Sequence, residues 1–109
     1  MTRQAYICGP YSNEDPAKVR ANVWEALHAG ILATKAGWHP IVPHAMGPHI
    51  GMDWETAMIR CRDLIRQLDP ARDILVALPW WAESRGAREE VGLAMELRIP
   101  VVHLADLSL

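Results

Sequence analysis

Four short apolar runs alternate along the chain with three segments of helical periodicity, and this alternation limits the possible folds more than any other feature. The runs cover residues 5–8, 41–42, 74–78 and 101–104. Residues 74–78 are apolar throughout, as expected for a strand that is covered on both faces of its sheet. Because the intervening helices are long enough to cross the sheet, the strands are predicted to pair in parallel with right-handed connections.

Capping residues mark where the predicted helices begin and end. Residues 22–36 carry apolar side chains at helical spacing, and Gly37 follows them as a candidate left-handed cap. Asp53 predicts the N-cap of a second helix, and Ser84 opens a third helix that ends near Leu97. The sequence therefore predicts an α/β fold, a small three-layer sandwich with a flavodoxin- or Rossmann-like parallel sheet of four or five strands.

The size and composition of the chain indicate one soluble globular domain over residues 1–109. Half of the residues are apolar and 22% are charged, and 11 basic side chains against 13 acidic ones leave a net charge of −2. A nucleic-acid polymer is therefore not an expected partner, since non-specific binding to it requires a cationic surface. The longest apolar run, residues 74–82, contains Pro79 and is too short for a membrane span.

The cysteines and the loop histidines give no indication of a metal site. Cys8 lies in the first apolar run and Cys61 on the apolar stripe of the second helix, so both are expected to be reduced core thiols. Since the N-terminus also lacks a secretion-signal pattern, we expect a cytoplasmic protein. The irregular segment 43–52 is a candidate functional loop because it follows a strand. Its His44 and His49 are spaced too irregularly for a metal site and are expected to be exposed.

The third helix contains two adjacent glutamates that fall on different sides of it. At about 100° per residue, Glu90 lies roughly 40° from Gly86, inside the arc of apolar side chains, whereas Glu89 lies among the charged ones. An inward carboxylate is costly unless it is paired, hydrogen-bonded or used in chemistry. Glu90 is therefore a candidate functional residue, and the alternative is a structural contact with a backbone donor or an arginine.

The start of the third helix is a candidate anion site. Ser84 supplies a hydroxyl and Arg85 a guanidinium, while Gly86 and Ala87 leave space beside backbone N–H groups that lack helical partners. The same serine is also an ordinary N-cap, which needs no ligand. From the residues alone, both interpretations stay open.

The strand Y-I-C-G-P at residues 6–10 and the W-x-x-S-x-G-A-x-x-E spacing at residues 81–90 are the most specific motifs of the chain. In these motifs the chain resembles the nucleoside 2-deoxyribosyltransferase superfamily, which includes 2′-deoxynucleoside 5′-monophosphate N-glycosidases and small phage and bacterial relatives. The resemblance runs in order from Tyr6 to Val102. It implies an enzyme that cleaves the bond between a base and deoxyribose.

The resemblance implies a catalytic role for three matched residues. Glu90 would attack the anomeric carbon and form a covalent glycosyl-enzyme, and Tyr6 would orient that glutamate through its phenol. A carboxylate suits this reaction because the transition state is oxocarbenium-like. Asp63, in a D-L-x-x-x-L stretch, would donate the proton to the leaving base. Asp73 is its rival, but it begins a strand, at the end opposite to the usual ligand crevice.

The same resemblance implies the residues that bind the substrate. Ser84, six residues before Glu90, matches the serine that binds a 5′-phosphate in the nucleotide hydrolases, where the nucleoside transferases carry an aspartate. The hydrolases have serine and arginine in the turn after the first strand, and Arg85 is the candidate substitute for that arginine. Trp81 matches the family tryptophan, with packing as its alternative role. The full set of substrate-binding candidates is Gly9, Ser12, Asn22, Trp81, Ser84, Arg85, Gly86 and Ala87.

The resemblance implies an enzyme that needs neither metal nor cofactor and acts on a small nucleoside or nucleotide. The first hypothesis is a hydrolase that cleaves the N-glycosidic bond of a (deoxy)nucleoside 5′-monophosphate through a glycosyl-Glu90 intermediate. The alternatives are base exchange by a nucleoside 2-deoxyribosyltransferase and a nucleotide-binding module without turnover. The resemblance also implies a homo-oligomer, a dimer or tetramer, with the apolar tail 101–109 and the tryptophans as candidate contacts.

Overall fold

The computed structural model describes residues 2–45 and 52–107. Its strands are β1 (Gln4–Cys8), β2 (His39–Ile41), β3 (Ile74–Ala77) and β4 (Val101–His103). They form one sheet in the order β2-β1-β3-β4, and every neighbouring pair is parallel. The predicted three-layer α/β sandwich is confirmed, with four strands in the described part of the chain.

Within the described residues, three α-helices connect the strands: α1 (Pro16–Lys35), α2 (Trp54–Arg66) and α3 (Arg85–Glu96). The predicted caps of α2 and α3 are confirmed, since Asp53 accepts a hydrogen bond from the Thr56 N–H at 2.7 Å and Ser84 accepts one from the Ala87 N–H at 3.2 Å. Gly37, which follows α1, has φ +92°, and this confirms the left-handed cap.

The first helix begins earlier than its apolar pattern predicts. Asp15 caps it by accepting a hydrogen bond from the Ala17 N–H at 2.9 Å, and Pro16 occupies the first helical position. Since residues 16–18 are exposed, they contribute no apolar periodicity. In the sequence, the start of α1 is therefore marked by its capping residues and not by apolar periodicity.

The two faces of the sheet carry separate hydrophobic clusters. Tyr6 and Cys8 of β1 point to the face covered by α2 and α3, whereas Ala5 and Ile7 point to the face covered by α1. This alternation places Tyr6 and Cys8 beside the helix that carries Glu90. Both cysteines are buried, as predicted, and neither forms a disulfide within the described residues.

The strand order creates a crevice above the central pair of strands. From β1 the chain crosses to β2 on one side, and from β3 it crosses to β4 on the other, so the segments that follow β1 and β3 diverge. Ligands of open α/β sheets bind at such switch points.

Asp73 lies at the other end of β3, where its buried carboxylate accepts hydrogen bonds from the backbone N–H groups of Gln4 and Asp69 at 2.8 and 2.7 Å.

No helix within residues 2–45 and 52–107 is both long and apolar enough to cross a bilayer. The predicted functional loop is described as far as Ala45 and again from Met52. Its His49 lies outside the described residues, as do the last two residues of the apolar tail.

Candidate functional site

A cavity of about 820 Å³ opens at the carboxyl ends of β1 and β3. This volume lies within the range of roughly 300–1,000 Å³ that is usual for small-molecule sites. The wall consists of the segments that follow β1, β2 and β3 together with the N-terminal turns of the helices. Its described polar side chains are Tyr11, Ser12, Asn13, Lys18, Asn22, Glu25, His44, Asp53, Glu83, Ser84, Arg85 and Glu90.

The turn after β1 is tightly fixed. A Cβ atom at Gly9 would lie 2.7 Å from Leu78 Cδ1 and 2.8 Å from Leu78 Cβ, so only glycine fits between β1 and the end of β3. The ring nitrogen Nε2 of His44 lies 3.1 Å from the carbonyl oxygens of both Gly9 and Pro10, and therefore carries the proton that it donates to them. Burial lowers the pKa of His44, while these two backbone hydrogen bonds raise it.

His44 corrects one expectation from the sequence. It is 6% exposed and lies in a single 3₁₀ turn, Pro43–Ala45, instead of pointing into solvent. The physical reason is the pair of carbonyl oxygens in the turn after β1, which the ring hydrogen-bonds. Asn22 braces the same turn from α1, because its Nδ2 donates a hydrogen bond to the Tyr11 carbonyl oxygen at 3.1 Å.

The N-terminus of α3 forms the opposite wall of the cavity. Gly86 lets α2 approach this turn, since a Cβ there would lie 3.1 Å from Met58 Sδ and 3.7 Å from Trp54 Nε1. Ser84 keeps its O–H available because its oxygen is the acceptor in the cap hydrogen bond with Ala87. The wall therefore combines a hydroxyl with the positive end of a helix.

Arg85 lies at the rim of this wall and is held by two neighbours. Its guanidinium carbon lies 4.4 Å from the centre of the Trp54 ring, and its Nε is 3.5 Å from Glu89 Oε1. Glu89 also pairs with Arg62 at 2.7 Å. The Arg85 side chain is 72% exposed, so it retains most of its hydrogen-bonding capacity for a ligand.

Glu90 lies at the floor of the cavity and is 7% exposed, which confirms the inward position predicted from the helical pattern. Burial raises the pKa of Glu90 to about 7. The side chains of Cys8, Tyr6 and Cys61 lower that pKa by hydrogen bonding, and the charge of Arg62 lowers it further. A carboxyl group with these neighbours exchanges its proton near neutral pH.

The Tyr6 hydroxyl is buried beside Glu90. Tyr6 is 0% exposed, and its hydroxyl forms no hydrogen bond of standard geometry within the described residues. It is nevertheless close enough to affect the pKa of the glutamate. Burial raises the pKa of Tyr6 well above its usual value, and the negative charge of Glu90 adds to this effect. The phenol is therefore neutral beside the carboxyl group.

The structure brings most of the predicted site residues together. Tyr6 lies behind the floor of the cavity, and the cavity itself is lined by Gly9, Ser12, Asn22, Ser84, Arg85, Gly86, Ala87 and Glu90. Trp81 is not among the lining residues and packs against the hydrophobic cluster between the sheet and the helices α2 and α3. That position agrees with its alternative role in packing.

Asp63 lies away from the cavity. Its side chain is 60% exposed and pairs with Arg66 at 3.4 Å. Helix α2 starts at the cavity with Trp54 and descends along the sheet by about 1.5 Å per residue, so Asp63 lies roughly 14 Å along the helix axis from its start. The D-L-x-x-x-L motif does not show how far along α2 Asp63 lies from the cavity.

Sequence reasoning missed two tryptophans of the cavity wall. Trp54 begins α2, and Trp80 directly follows the loop after β3 with a left-handed backbone, φ 68° and ψ 11°. The available signal for Trp54 was its place next to the predicted N-cap Asp53. The two adjacent tryptophans at positions 80 and 81 did not themselves show which one faces the cavity.

Among residues 2–45 and 52–107, no group of three or more histidine, cysteine, aspartate or glutamate side chains has the arrangement of a metal site. The fold and the cavity define an α/β protein with a cavity at the switch point of its sheet. The chain belongs to the family described as "Domain of unknown function (DUF4406)", which matches residues 3–103. A comparison with curated proteins finds no match.

Proposed function

We propose that this protein is a hydrolase that cleaves the N-glycosidic bond of a (deoxy)nucleoside 5′-monophosphate. The Glu90 carboxylate attacks C1′ of the sugar, the bond from C1′ to the base breaks, and a covalent glycosyl-Glu90 ester forms. Water then hydrolyses the ester and restores the carboxylate. The resemblance of residues 6–10 and 81–90 to the nucleoside 2-deoxyribosyltransferase superfamily supports this assignment.

The observation that carries the proposal is a buried carboxyl group on the floor of an otherwise open cavity. Glu90 is 7% exposed, lines the cavity and has a pKa of about 7, so near neutral pH a large fraction of it is ionised. An anion in such a place stabilises a developing oxocarbenium ion before it bonds to the carbon. A carboxylate used only for structure would more usually be paired with a cation.

The 5′-phosphate is assigned to the N-terminus of α3. The Ser84 hydroxyl and the first N–H groups of the helix face the cavity, and Arg85 at the rim adds a positive charge. An aspartate at the position of Ser84 would repel a phosphate. The site is thus better suited to a nucleotide than to a free nucleoside.

The reaction also needs a proton donor for the leaving base. The exposed, Arg66-paired position of Asp63 lends no support to its predicted role as the acid. Other acidic side chains do line the cavity. Asp53 caps α2, and the backbone hydrogen bond from Thr56 lowers its pKa, so it is a poor acid. Glu25 and Glu83 are the better candidates. A cytoplasmic location also belongs to the proposal, and it is supported by two buried cysteines that form no disulfide in the described residues.

The proposal is tested by incubating the protein with each deoxynucleoside and nucleoside 5′-monophosphate and separating free base by chromatography. We expect base release by the wild-type protein and none by Glu90→Gln. The matched control is Glu89→Gln, which removes the neighbouring carboxylate from the solvent side of α3. Release that appears only after addition of an acceptor base would indicate base exchange instead. Saturable binding without release, unaffected by Glu90→Ala, would indicate a binding module.

A further inference from the structure

Two buried thiols share the space around Glu90 with the phenol of Tyr6. Cys8 is the last residue of β1 and Cys61 lies on α2, and both are 0% exposed. Both belong to the buried cluster between the sheet and the helices α2 and α3, and hydrogen bonding from both side chains lowers the pKa of Glu90. Since they come from two separate elements, they approach it from the sheet and from the neighbouring helix. The proposed reaction gives neither thiol a role.

We infer that Cys8 and Cys61 are positioning residues that hold the Glu90 carboxylate in place by donating S–H hydrogen bonds to it. The inference rests on the proposed function, because this positioning matters for catalysis only if Glu90 is the nucleophile. The hydrogen bonds themselves belong to the ligand-free protein. They can therefore be observed whether or not the protein turns over a nucleotide.

Both thiols have the protonation state that this role requires. Burial raises the pKa of Cys61 to about 12 and that of Cys8 well above its usual value, and the nearby Glu90 charge acts in the same direction. Each sulfur therefore carries its proton near neutral pH and is a donor. A thiol is a weaker donor than a hydroxyl or an N–H group. A thiol can therefore orient a carboxylate, and it withdraws little electron density from the oxygen that acts as the nucleophile.

The proton of Cys8 has two acceptors on α3. Its sulfur lies 3.6 Å from the carbonyl oxygen of Ala87, one helical turn before Glu90, and hydrogen bonding with the Glu90 side chain raises the pKa of the thiol. When Glu90 is protonated, the thiol proton is directed to the carbonyl oxygen. When Glu90 is ionised, the carboxylate is the stronger acceptor, because charge-assisted hydrogen bonds are the stronger ones. Cys8 thus links β1 to α3 in both states.

The other groups around Glu90 do not replace the thiols. From β1 the Tyr6 phenol faces it, and from α2 the Arg62 guanidinium acts on it. Arg62 is already paired with Glu89 at 2.7 Å, and the Tyr6 hydroxyl forms no hydrogen bond of standard geometry in the described residues. The alternative to our inference is that both cysteines only fill the core as small apolar side chains. The two interpretations differ in whether the S–H groups respond to the charge of Glu90.

Infrared spectroscopy distinguishes a positioning role of the thiols from a role in core packing alone, because the S–H stretching band lies where no other protein group absorbs. Spectra of the full chain would be recorded from about one and a half pH units below to the same interval above the Glu90 pKa of about 7. We expect the bands of both cysteines to move to lower frequency as Glu90 ionises. In Glu90→Gln the bands should not move with pH. Bands that also stay constant in the wild-type protein would overturn the inference.

Two alanine variants provide a second readout. Cys8→Ala and Cys61→Ala should each remove one moving band and raise the midpoint of the Glu90 carboxyl titration by about half a pH unit or more. Val91→Ala, which removes a buried side chain from the same helix but no donor, should leave the midpoint unchanged. Circular dichroism checks that each variant folds, and the wild-type bands decide the question even if one variant does not.

The outcomes for the two proposals are separate. Moving bands without release of base would contradict the proposed function and leave the positioning role of the thiols intact. Release of base with constant bands and an unchanged midpoint would contradict the positioning role alone. If both proposals hold, the acidic limb of the pH–rate profile should shift upward in the two alanine variants together with the carboxyl midpoint.

Discussion

Glu90 makes the protein less stable whenever it is ionised. Its pKa is about 7 in the folded chain, against about 4.5 for an unperturbed glutamate. Between these two values the unfolded chain releases the proton and the folded chain keeps it, so stability falls as the pH rises through this window and stays lower above it. A buried carboxyl that lowers stability at neutral pH is typical of residues retained for function.

Replacement of Glu90 by glutamine should therefore stabilise the fold at high pH. At pH 8 we expect Glu90→Gln to exceed the wild type by up to about 3 kcal/mol in the free energy of unfolding, and near pH 4 the gain should disappear. Urea unfolding at both pH values measures this. The difference between the two proteins is the relevant quantity, because the lowered pKa of His44 acts on both with the opposite slope. An equal increase in the free energy of unfolding in Glu89→Gln would contradict this expectation. So would the absence of any increase in Glu90→Gln above pH 7.

The buried hydroxyl of Tyr6 provides a second test at the same scale. It has no hydrogen-bond partner of standard geometry in the described chain, so Tyr6→Phe should leave the free energy of unfolding equal to or above that of the wild type. Base release should nevertheless fall by about tenfold or more, because the resemblance implies that this phenol orients the Glu90 carboxylate for attack. A clear loss of stability with unchanged turnover would show that the phenol is only a core residue.

At the scale of the structural elements, the segment after β3 combines strain with exposure. Trp80 adopts a left-handed backbone, φ 68°, although its side chain is 69% exposed and packs little. Such a conformation costs roughly 1 kcal/mol for a residue other than glycine. Because Trp80 lines the cavity, the strain orients an aromatic surface toward the ligand site.

Trp80→Gly should consequently be more stable than the wild type by about 1 kcal/mol and bind nucleoside monophosphates more weakly. Arg98→Gly is the matched control, since Arg98 has a similar φ of 61° but does not line the cavity. Arg98→Gly should gain similar stability and should bind nucleoside monophosphates as tightly as the wild type does. Thermal unfolding and calorimetric titration measure both quantities, and unchanged affinity in Trp80→Gly would remove the functional role of this tryptophan.

The turn between β1 and the cavity should tolerate no side chain at Gly9. Gly9→Ala places a Cβ 2.7 Å from Leu78 Cδ1 and should destabilise the fold by about 2 kcal/mol. Gly92 on α3 has no heavy atom within 4 Å of such a Cβ, so Gly92→Ala should stabilise by about 1 kcal/mol. Urea unfolding compares the two, and similar effects of both substitutions would contradict the packing described for the turn.

The elements show which features local sequence determines. Caps such as Asp53 and Ser84 are local, since the acceptor and the donor are three residues apart, and both were predictable. The burial of Glu90 followed from helical periodicity. The burial of His44 depends on carbonyl oxygens 34 and 35 residues away, and the distance of Asp63 from the cavity depends on how α2 runs along the sheet. Neither is encoded in a local pattern.

At the scale of the whole molecule, the alternation of strands and helices was enough to predict a parallel sheet with its cavity at the carboxyl ends of the strands. The length of the cavity wall and the approach of α2 to α3 at Gly86 come from tertiary packing and were not predictable.

The homo-oligomer stays a prediction. Trp24 of α1 is 73% exposed and is a candidate contact that sedimentation analysis of Trp24→Glu would test.

The central claim is that Glu90 forms a covalent bond to the sugar. Its most direct test is mass spectrometry of the protein mixed with a deoxynucleoside 5′-monophosphate, quenched in acid and digested. We predict that the peptide containing Glu90 gains the mass of one deoxyribose phosphate residue, and that the gain is absent in Glu90→Gln. Release of base without any adduct on this peptide, or with the adduct on another residue, would contradict the claim.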